Sequence, residues 1–256
     1  VNKNYVLIYF ITFGLMKEWL SRTELLLGSE KLKRLEESNV LVVGLGGVGA
    51  YAAEMICRAG VGKMSIVDGD LINPSNRNRQ LPALVSTEGL AKAEVLGARL
   101  LDINPVLDLT IIQEYIRDER MVEILDTGYD YVVDAIDTLS PKIYLIYHSV
   151  SRDIPVVSSM GAGGKVDPSQ ITISDISESY NCKLARVLRK RLHKLGVREG
   201  VMAVFSPELV PGETIIAIEG ERNKKSNVGT ISYMPAIFGC AMASVVIRDL
   251  SNSKNS

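Results

Sequence analysis

The chain has 256 residues, 46% hydrophobic and 23% charged, with a formal net charge of −1. That balance excludes intrinsic disorder and a uniformly basic, nucleic-acid-coating surface, and the length suffices for one α/β domain with a large core. The three cysteines, Cys57, Cys182 and Cys240, form no CxxC pair, which excludes a disulfide framework and a four-thiolate zinc site and points to a reducing cytoplasm.

Residues 5–16 are apolar and aromatic, but too short to span a bilayer and without a cleavage site for a signal peptide. The expectation is that 1–16 are an upstream, non-native extension with Met16 as the native start; a short element packing on a neighbour is the alternative. A single domain is expected over 17–250, followed by a polar, frayed tail at 251–256. Residues 24–37 read as a helix carrying Leu25, Leu26, Leu32 and Leu35. The β-branched run at 39–43 reads as a buried parallel strand, a glycine loop follows at 44–49, and 48–59 reads as a helix. A second strand at 63–67 completes a βαβ unit. The polar stretch 70–82 reads as a loop. Helices are expected at 89–102, 119–125 and 141–151, and strands at 109–113, 131–135 and 155–158. Alternation of this kind predicts a Rossmann-like, doubly wound, mostly parallel α/β sheet. Additional C-terminal elements follow: strands at 170–176, 201–205 and 214–218, a basic helix at 180–195 and an apolar helix at 233–250. The last helix nears membrane length, but contains Pro235, Gly239 and Arg248. It reads as packed core without stable membrane insertion; weak membrane association stays open.

The loop Gly44-Leu45-Gly46-Gly47-Val48-Gly49 follows a strand and opens a helix, the context in which glycines let a backbone approach phosphate at a helix N-terminus. Asp68 ends the next strand, where a carboxylate can accept from ribose hydroxyls. The loop lacks the Lys-Ser/Thr ending of a P-loop. By itself the fingerprint does not choose between NAD and ATP. Beyond it come Arg79, in Asn73-Pro74-Ser75-Asn76-Arg77-Asn78-Arg79-Gln80, then Lys92 and Asp137. Two cations and a second carboxylate suit a triphosphate and magnesium, with Arg79 and Lys92 on phosphate oxygens and Asp137 on the metal. Each also has a plainer reading: Arg79 in a surface ion pair, Lys92 on a solvated helix face, Asp137 as a helix cap.

The motifs GLGGVG, VDGD, NRNRQ, AKAE and DAIDT, in that order, resemble the ubiquitin-activating-like adenylating superfamily, which includes the activators of molybdopterin and thiamin sulfur carriers. The resemblance runs from Arg22 to Leu250. It implies that Gly44, Gly46, Gly47, Gly49, Asp68, Asn76, Arg79 and Lys92 contact ATP and that Asp137 holds magnesium. It further implies that Arg22 crosses a homodimer interface to the partner's ATP. The stretches SMGAGGKVDPSQI (159–171), RVLRKRL (186–192) and VFSPE (204–208) resemble the branch that dehydrates threonylcarbamoyladenosine beside the tRNA anticodon. This implies adenylation of the threonyl carboxylate followed by ring closure, with release of AMP and pyrophosphate.

The basic helix fits that implication. Arg186, Arg189, Lys190, Arg191 and Lys194 lie in a run without acidic residues, while Leu184, Leu188, Leu192 and Leu195 share one face for docking on the core. Such a run is either a solvated face or a patch for an RNA backbone. Some relatives carry a cysteine just before the final helix that is linked to sulfur handling. Residues 224–229 carry none, which puts a thiol-dependent step, and a sulfur-delivery partner with it, in doubt. Cys240 reads as core, and Cys182 receives no role. One rival reading is an activator of a Gly-Gly-tailed sulfur-carrier protein, against which the missing zinc cysteines and the basic helix count. The other is a non-catalytic nucleotide- or NAD-binding module, against which Arg79, Lys92 and Asp137 count.

Overall fold

The computed structural model describes residues 18–217 and 226–252. The expected extension at 1–16, the end of the strand expected at 214–218, Lys224, Lys225 and residues 253–256 lie outside the described residues. Two helices begin the described chain, α1 (Ser21–Leu27) and α2 (Ser29–Glu37), in place of the single helix expected at 24–37. Gly28 separates them with φ 86° and ψ 155°, a conformation that ends a helix and that side chains resist. Leu32 and Leu35 are buried, whereas Leu25 and Leu26 are 88% and 83% exposed.

The central sheet has seven strands: β1 (Asn39–Val43), β2 (Lys63–Val67), β3 (Asp108–Ile112), β4 (Tyr131–Asp134), β5 (Val156–Ser159), β6 (Thr172–Asp175) and β7 (Val201–Phe205). Their order is β3-β2-β1-β4-β5-β7-β6. All pairings are parallel except the antiparallel edge pair β6–β7. Alternate residues of β1 serve opposite faces. Val40 and Val42 join the cluster built with α2, α3 (Gly49–Arg58), α4 (Lys92–Ile103) and α8 (Tyr233–Asn252). Leu41 and Val43 join the cluster built with α5 (Asp118–Leu125), α6 (Leu139–Val150) and α7 (Lys183–Lys194). Burial on both faces is why these strands read as unbroken β-branched runs. This is the expected doubly wound architecture. A small antiparallel pair, β8 (Ile215–Ala217) and β9 (Ser226–Val228), stands apart from the sheet.

Two helix starts fall three residues later than expected. Before α4, backbone bonds from Ile72 to Leu90 and from Gly89 to Ile72, with the Leu71–Ala91 bridge, keep 89–91 out of the helix, with Gly89 in a turn at φ 80°. Before α7, residues 180–182 stay outside the helix, with Asn181 at φ 50°. At the far end, Ser251 and Asn252 belong to α8 rather than to a frayed tail.

α8 is long and apolar enough to cross a membrane by length and composition, yet Met234, Phe238, Met242 and Val246 are buried in the protein's own core. Gly239 lets it approach α3 closely: a Cβ there would stand 2.3 Å from the Val48 carbonyl oxygen. Cys240 faces solvent and is not core, because it lies on the side of α8 away from Phe238 and Gly239. Beneath the C-terminal end of β4, Lys142 of α6 and Asp134 form an ion pair of 2.8 Å with both side chains 0% exposed.

Phe238→Ala should lower the unfolding free energy by about 3–5 kcal/mol, read as a lower urea midpoint. A loss below about 1 kcal/mol would mean that α8 does not close this core.

Candidate active site

The C-terminal ends of β1, β2 and β4 lie side by side, with Val43 in register with Val67 on one side and Asp134 on the other. The chain leaves β1 toward β2 and later returns to β4 on the opposite side, so a crevice opens there. The glycine loop forms its floor. Gly44, Gly46 and Gly47 are partly exposed within it, while Gly49 is buried as the first residue of α3. A Cβ on Gly49 would stand 1.8 Å from the Gly44 carbonyl oxygen, so the glycine lets α3 pack closely on the end of β1.

Asp68 clamps this loop. Its Oδ2 accepts from the Leu45 amide at 2.6 Å and its Oδ1 from the Asp70 amide at 2.8 Å. Burial pushes its carboxyl up from the ordinary 3.8, opposed by the charge of Lys92 and by those two amides. Lys92 starts α4 with only 5% exposure, and its Nζ meets Asp70 Oδ2 at 2.7 Å. It is no solvated helix face. Tyr115 donates its hydroxyl to the other Asp70 oxygen, and its ring lies against Gly69, where a Cβ would stand 2.7 Å from it. The Asp70 bond, then burial, pushes the Tyr115 hydroxyl up to about 12.

Arg79 reaches the same place from the loop after β2. A Cβ on Gly47 would stand 3.3 Å from the Arg79 carbonyl oxygen and 3.4 Å from its Cγ. The Arg79 guanidinium donates to the Ser75 carbonyl at 3.0 Å and to Asn78 Oδ1 at 2.7 Å. Burial lowers its pKa, and the charge of Asp137 acts in the opposite direction. Asp137 is exposed beyond β4, near enough for its charge to act on Arg79 and Tyr115, but it is not among the residues lining the polar cavity of the crevice. Asn76 is buried and holds the loop with its Oδ1 on the Asn73 amide at 3.0 Å.

A polar cavity of about 550 Å³ results, lined by Asp70, Asn76, Arg79 and Lys92 on one side and Val228 and Thr230 on the other. Asp70 is the one carboxylate lining it, and no cluster of three or more His, Cys, Asp or Glu side chains lies among the described residues, so a hard cation here would have to take most of its oxygen ligands from a nucleotide. Gln80, quoted in the loop motif but given no role there, is 9% exposed, and its Oε1 has no hydrogen-bond partner among the described residues. Its Nε2 would stand 3.7 Å from a Cβ on Gly46. A side-chain-free cradle, two cations and an orphaned buried amide oxygen beside it fit a nucleotide with its phosphates on Arg79 and Lys92.

Two groups of expected site residues lie elsewhere. Arg22 is exposed on α1 and does not line this chain's cavity. The basic helix α7 exposes Arg186, Lys190, Arg191 and Lys194. Arg189 departs from its expected role: it is half-buried and donates to the backbone carbonyls of Ile176 and Ser179, anchoring α7 rather than facing a phosphate. The docking face is Ala185, Leu188 and Leu192, with Leu195 exposed. Lys165 is buried, and its Nζ donates to the Glu208 carbonyl. The preceding Gly163 and Gly164 abut the cavity wall, with the Gly164 amide on the Gly229 carbonyl at 2.7 Å. Burial lowers the Lys165 pKa.

The ThiF family profile matches residues 20–256. The tRNA threonylcarbamoyladenosine dehydratase of Bacillus subtilis is 39% identical over 242 residues, covering 92% of this chain and 95% of the relative. A crystal structure of the Escherichia coli tRNA N6-threonylcarbamoyladenosine dehydratase in complex with ATP superposes with a TM-score of 0.83 at 33% identity, covering 91% of this chain and 94% of that one. The same enzyme in complex with AMP gives a TM-score of 0.82 at the same identity and coverage. The chain belongs to the ThiF family, and within it is similar to the tRNA threonylcarbamoyladenosine dehydratases.

Proposed function

We propose that this protein is an ATP-dependent dehydratase that closes the threonylcarbamoyl side chain of a modified tRNA adenosine into a ring. The observation that carries the reading is the meeting of Arg79 and Lys92 at the polar cavity beside the glycine loop, in a chain similar along most of its length to enzymes of that name. A carboxylate oxygen of the substrate attacks the α-phosphorus of ATP, and the bond to the β-phosphate oxygen breaks to release pyrophosphate. A nucleophile in the same side chain then attacks the activated carbonyl, loses its proton and expels AMP. The nucleoside has lost one water, and ATP has become AMP and pyrophosphate. Arg79 and Lys92 stabilise the charge gathering on the phosphate oxygens, and Asp68 accepts from the ribose. Gly44, Gly46, Gly47 and Asn76 shape the nucleotide cradle. Asp137, together with phosphate oxygens, would hold magnesium, which when bound would supply further charge neutralisation. Ring closure is intramolecular, so the protein need only orient the groups and exclude water.

The tRNA docks on α7 through Arg186, Lys190, Arg191 and Lys194. In support, these four cations are exposed while Ala185, Leu188 and Leu192 hold the opposite face of α7 on the core. The working form is a cytoplasmic homodimer. Arg22 shares α1 with the exposed Leu25 and Leu26, a face suited to burial against a second copy and to delivery of Arg22 to the partner's phosphates.

Mass spectrometry of tRNA carrying threonylcarbamoyladenosine should show loss of one water that requires the protein, ATP and magnesium. Pyrophosphate exchange that instead requires a Gly-Gly-tailed carrier protein would replace this reading with a sulfur-carrier activator. Arg79→Ala should slow adenylation about 10²–10³-fold; unchanged exchange of pyrophosphate into ATP would remove Arg79 from the mechanism.

The raised Asp68 carboxyl makes a pH dependence. Only the ionised form accepts both ribose hydrogen bonds, so ATP affinity should fall on acidification, starting above the ordinary value of 3.8. Stability moves the other way: with the folded value above the unfolded one, this group's contribution is full below the unfolded value and is lost as pH rises through the folded value. Titrating ATP binding against pH checks this, and an acid limb that survives unaltered in Asp68→Asn would assign it to another group.

A further inference from the structure

The buried pair of Asp134 and Lys142 lies under the loop that carries Asp137, and no step proposed above uses it. Lys142 is fully buried, yet its ammonium has a partner for every proton. It sits 2.8 Å from Asp134 Oδ2, donates to the Ile136 carbonyl at 3.0 Å and approaches the Asp134 carbonyl at 3.5 Å. Asp134 in turn accepts from Ser158 Oγ of β5 at 2.7 Å and from the Ile136 amide at 3.2 Å. Both backbone polar groups of Ile136, the residue immediately before Asp137, are thus held by one ion pair. Above it, a Cβ on Gly44 would stand 2.7 Å from the Ala135 carbonyl oxygen, so the same loop packs on the glycine turn. A fully desolvated ion pair is a poor source of stability compared with apolar residues of the same volume, so its value lies in what it positions.

We infer that Lys142 is a positioning residue for adenylation: by fixing the Ile136 peptide it holds the backbone of Asp137 at the crevice, and Ser158 fixes the pair from the sheet side. The inference rests on the adenylation reading and on the role of Asp137 within it. Lys142 touches neither nucleotide nor substrate, so losing it affects the step that needs Asp137 and spares binding that does not.

The test uses the full chain with Lys142→Met and Ser158→Ala, the second removing a single hydrogen bond and leaving the pair in place. Three quantities are compared with wild type: kcat for pyrophosphate exchange, the magnesium concentration at half-saturation, and AMP affinity in the absence of magnesium. For Lys142→Met, kcat should fall about 10²-fold, as expected of a displaced catalytic group. Half-saturation should move to higher magnesium, while metal-free AMP affinity stays unchanged. Ser158→Ala should move the first two quantities in the same directions by less. Unchanged kcat and magnesium dependence in a folded Lys142→Met, or in Ser158→Ala should Lys142→Met not fold, overturns the inference. So does an equal loss of metal-free AMP affinity, which marks general damage. Wild-type protein that catalyses no exchange overturns the adenylation reading itself.

Discussion

Between β1 and β4 the chain reverses its direction of travel across the sheet, and that reversal is the constraint around which the molecule is arranged. Helices that follow β1 and β4 are thrown to opposite faces, so nothing covers the strand ends between them. Peptide groups at those ends must find partners or face a ligand. The glycine loop, Asp68 and the Asp134–Ile136 turn meet this demand. Asp68 takes two amides, Asp134 takes a third, and Lys142 takes carbonyls. What stays open is a cradle of glycine backbone bordered by cations.

Those cations are held in place before any ligand arrives. Lys92 rests on Asp70, which Tyr115 holds from its other oxygen, and Arg79 rests on Ser75 and Asn78. Preorganised charge is worth more than charge that must be gathered at the moment of reaction. Its cost is carried by the surrounding carboxylates, and removing one member of a buried pair such as Asp134–Lys142 typically costs about 3–5 kcal/mol. The cavity therefore sits beside the glycine loop, within a rigid electrostatic frame.

The strands were legible because double-sided burial demands continuous apolar, β-branched runs, and β1, β2 and β7 begin and end where the residues say they should. Helix ends were less legible, because backbone bonds from Ile72 to 89–90 are tertiary and leave no local pattern. The order Arg79, Lys92, Asp137 announced a cationic phosphate site, but not that Lys92 would be buried on Asp70. Arg189 looked like any other cation in its run; only the position of the Ile176–Ser179 turn separates it from its neighbours. Lys142 escaped notice because lysines are almost never fully buried. The available signal was its place on the apolar stripe of α6, in step with Leu145, Ile146 and Ser149, all of them buried. Cys240 was misjudged for the converse reason: an apolar helix still keeps one side for solvent.

The contact of Pro235 with Gly47 bears on the order in which the protein comes into being. A Cβ on Gly47 would stand 2.9 Å from the Pro235 ring, so the entrance of α8 braces the nucleotide loop made nearly two hundred residues earlier. The same helix supplies Phe238, Met242 and Val246 to the cluster that covers β1 and β4. During synthesis from the N-terminus, α3 can cover β1 early, but the part of this face over β4, β5 and β7 lacks its cover until α8 has been made. Nascent chains thus carry a greasy, unfinished surface with strand edges beside it, a target for chaperones. The glycine loop gains its Pro235 brace only when α8 is in place.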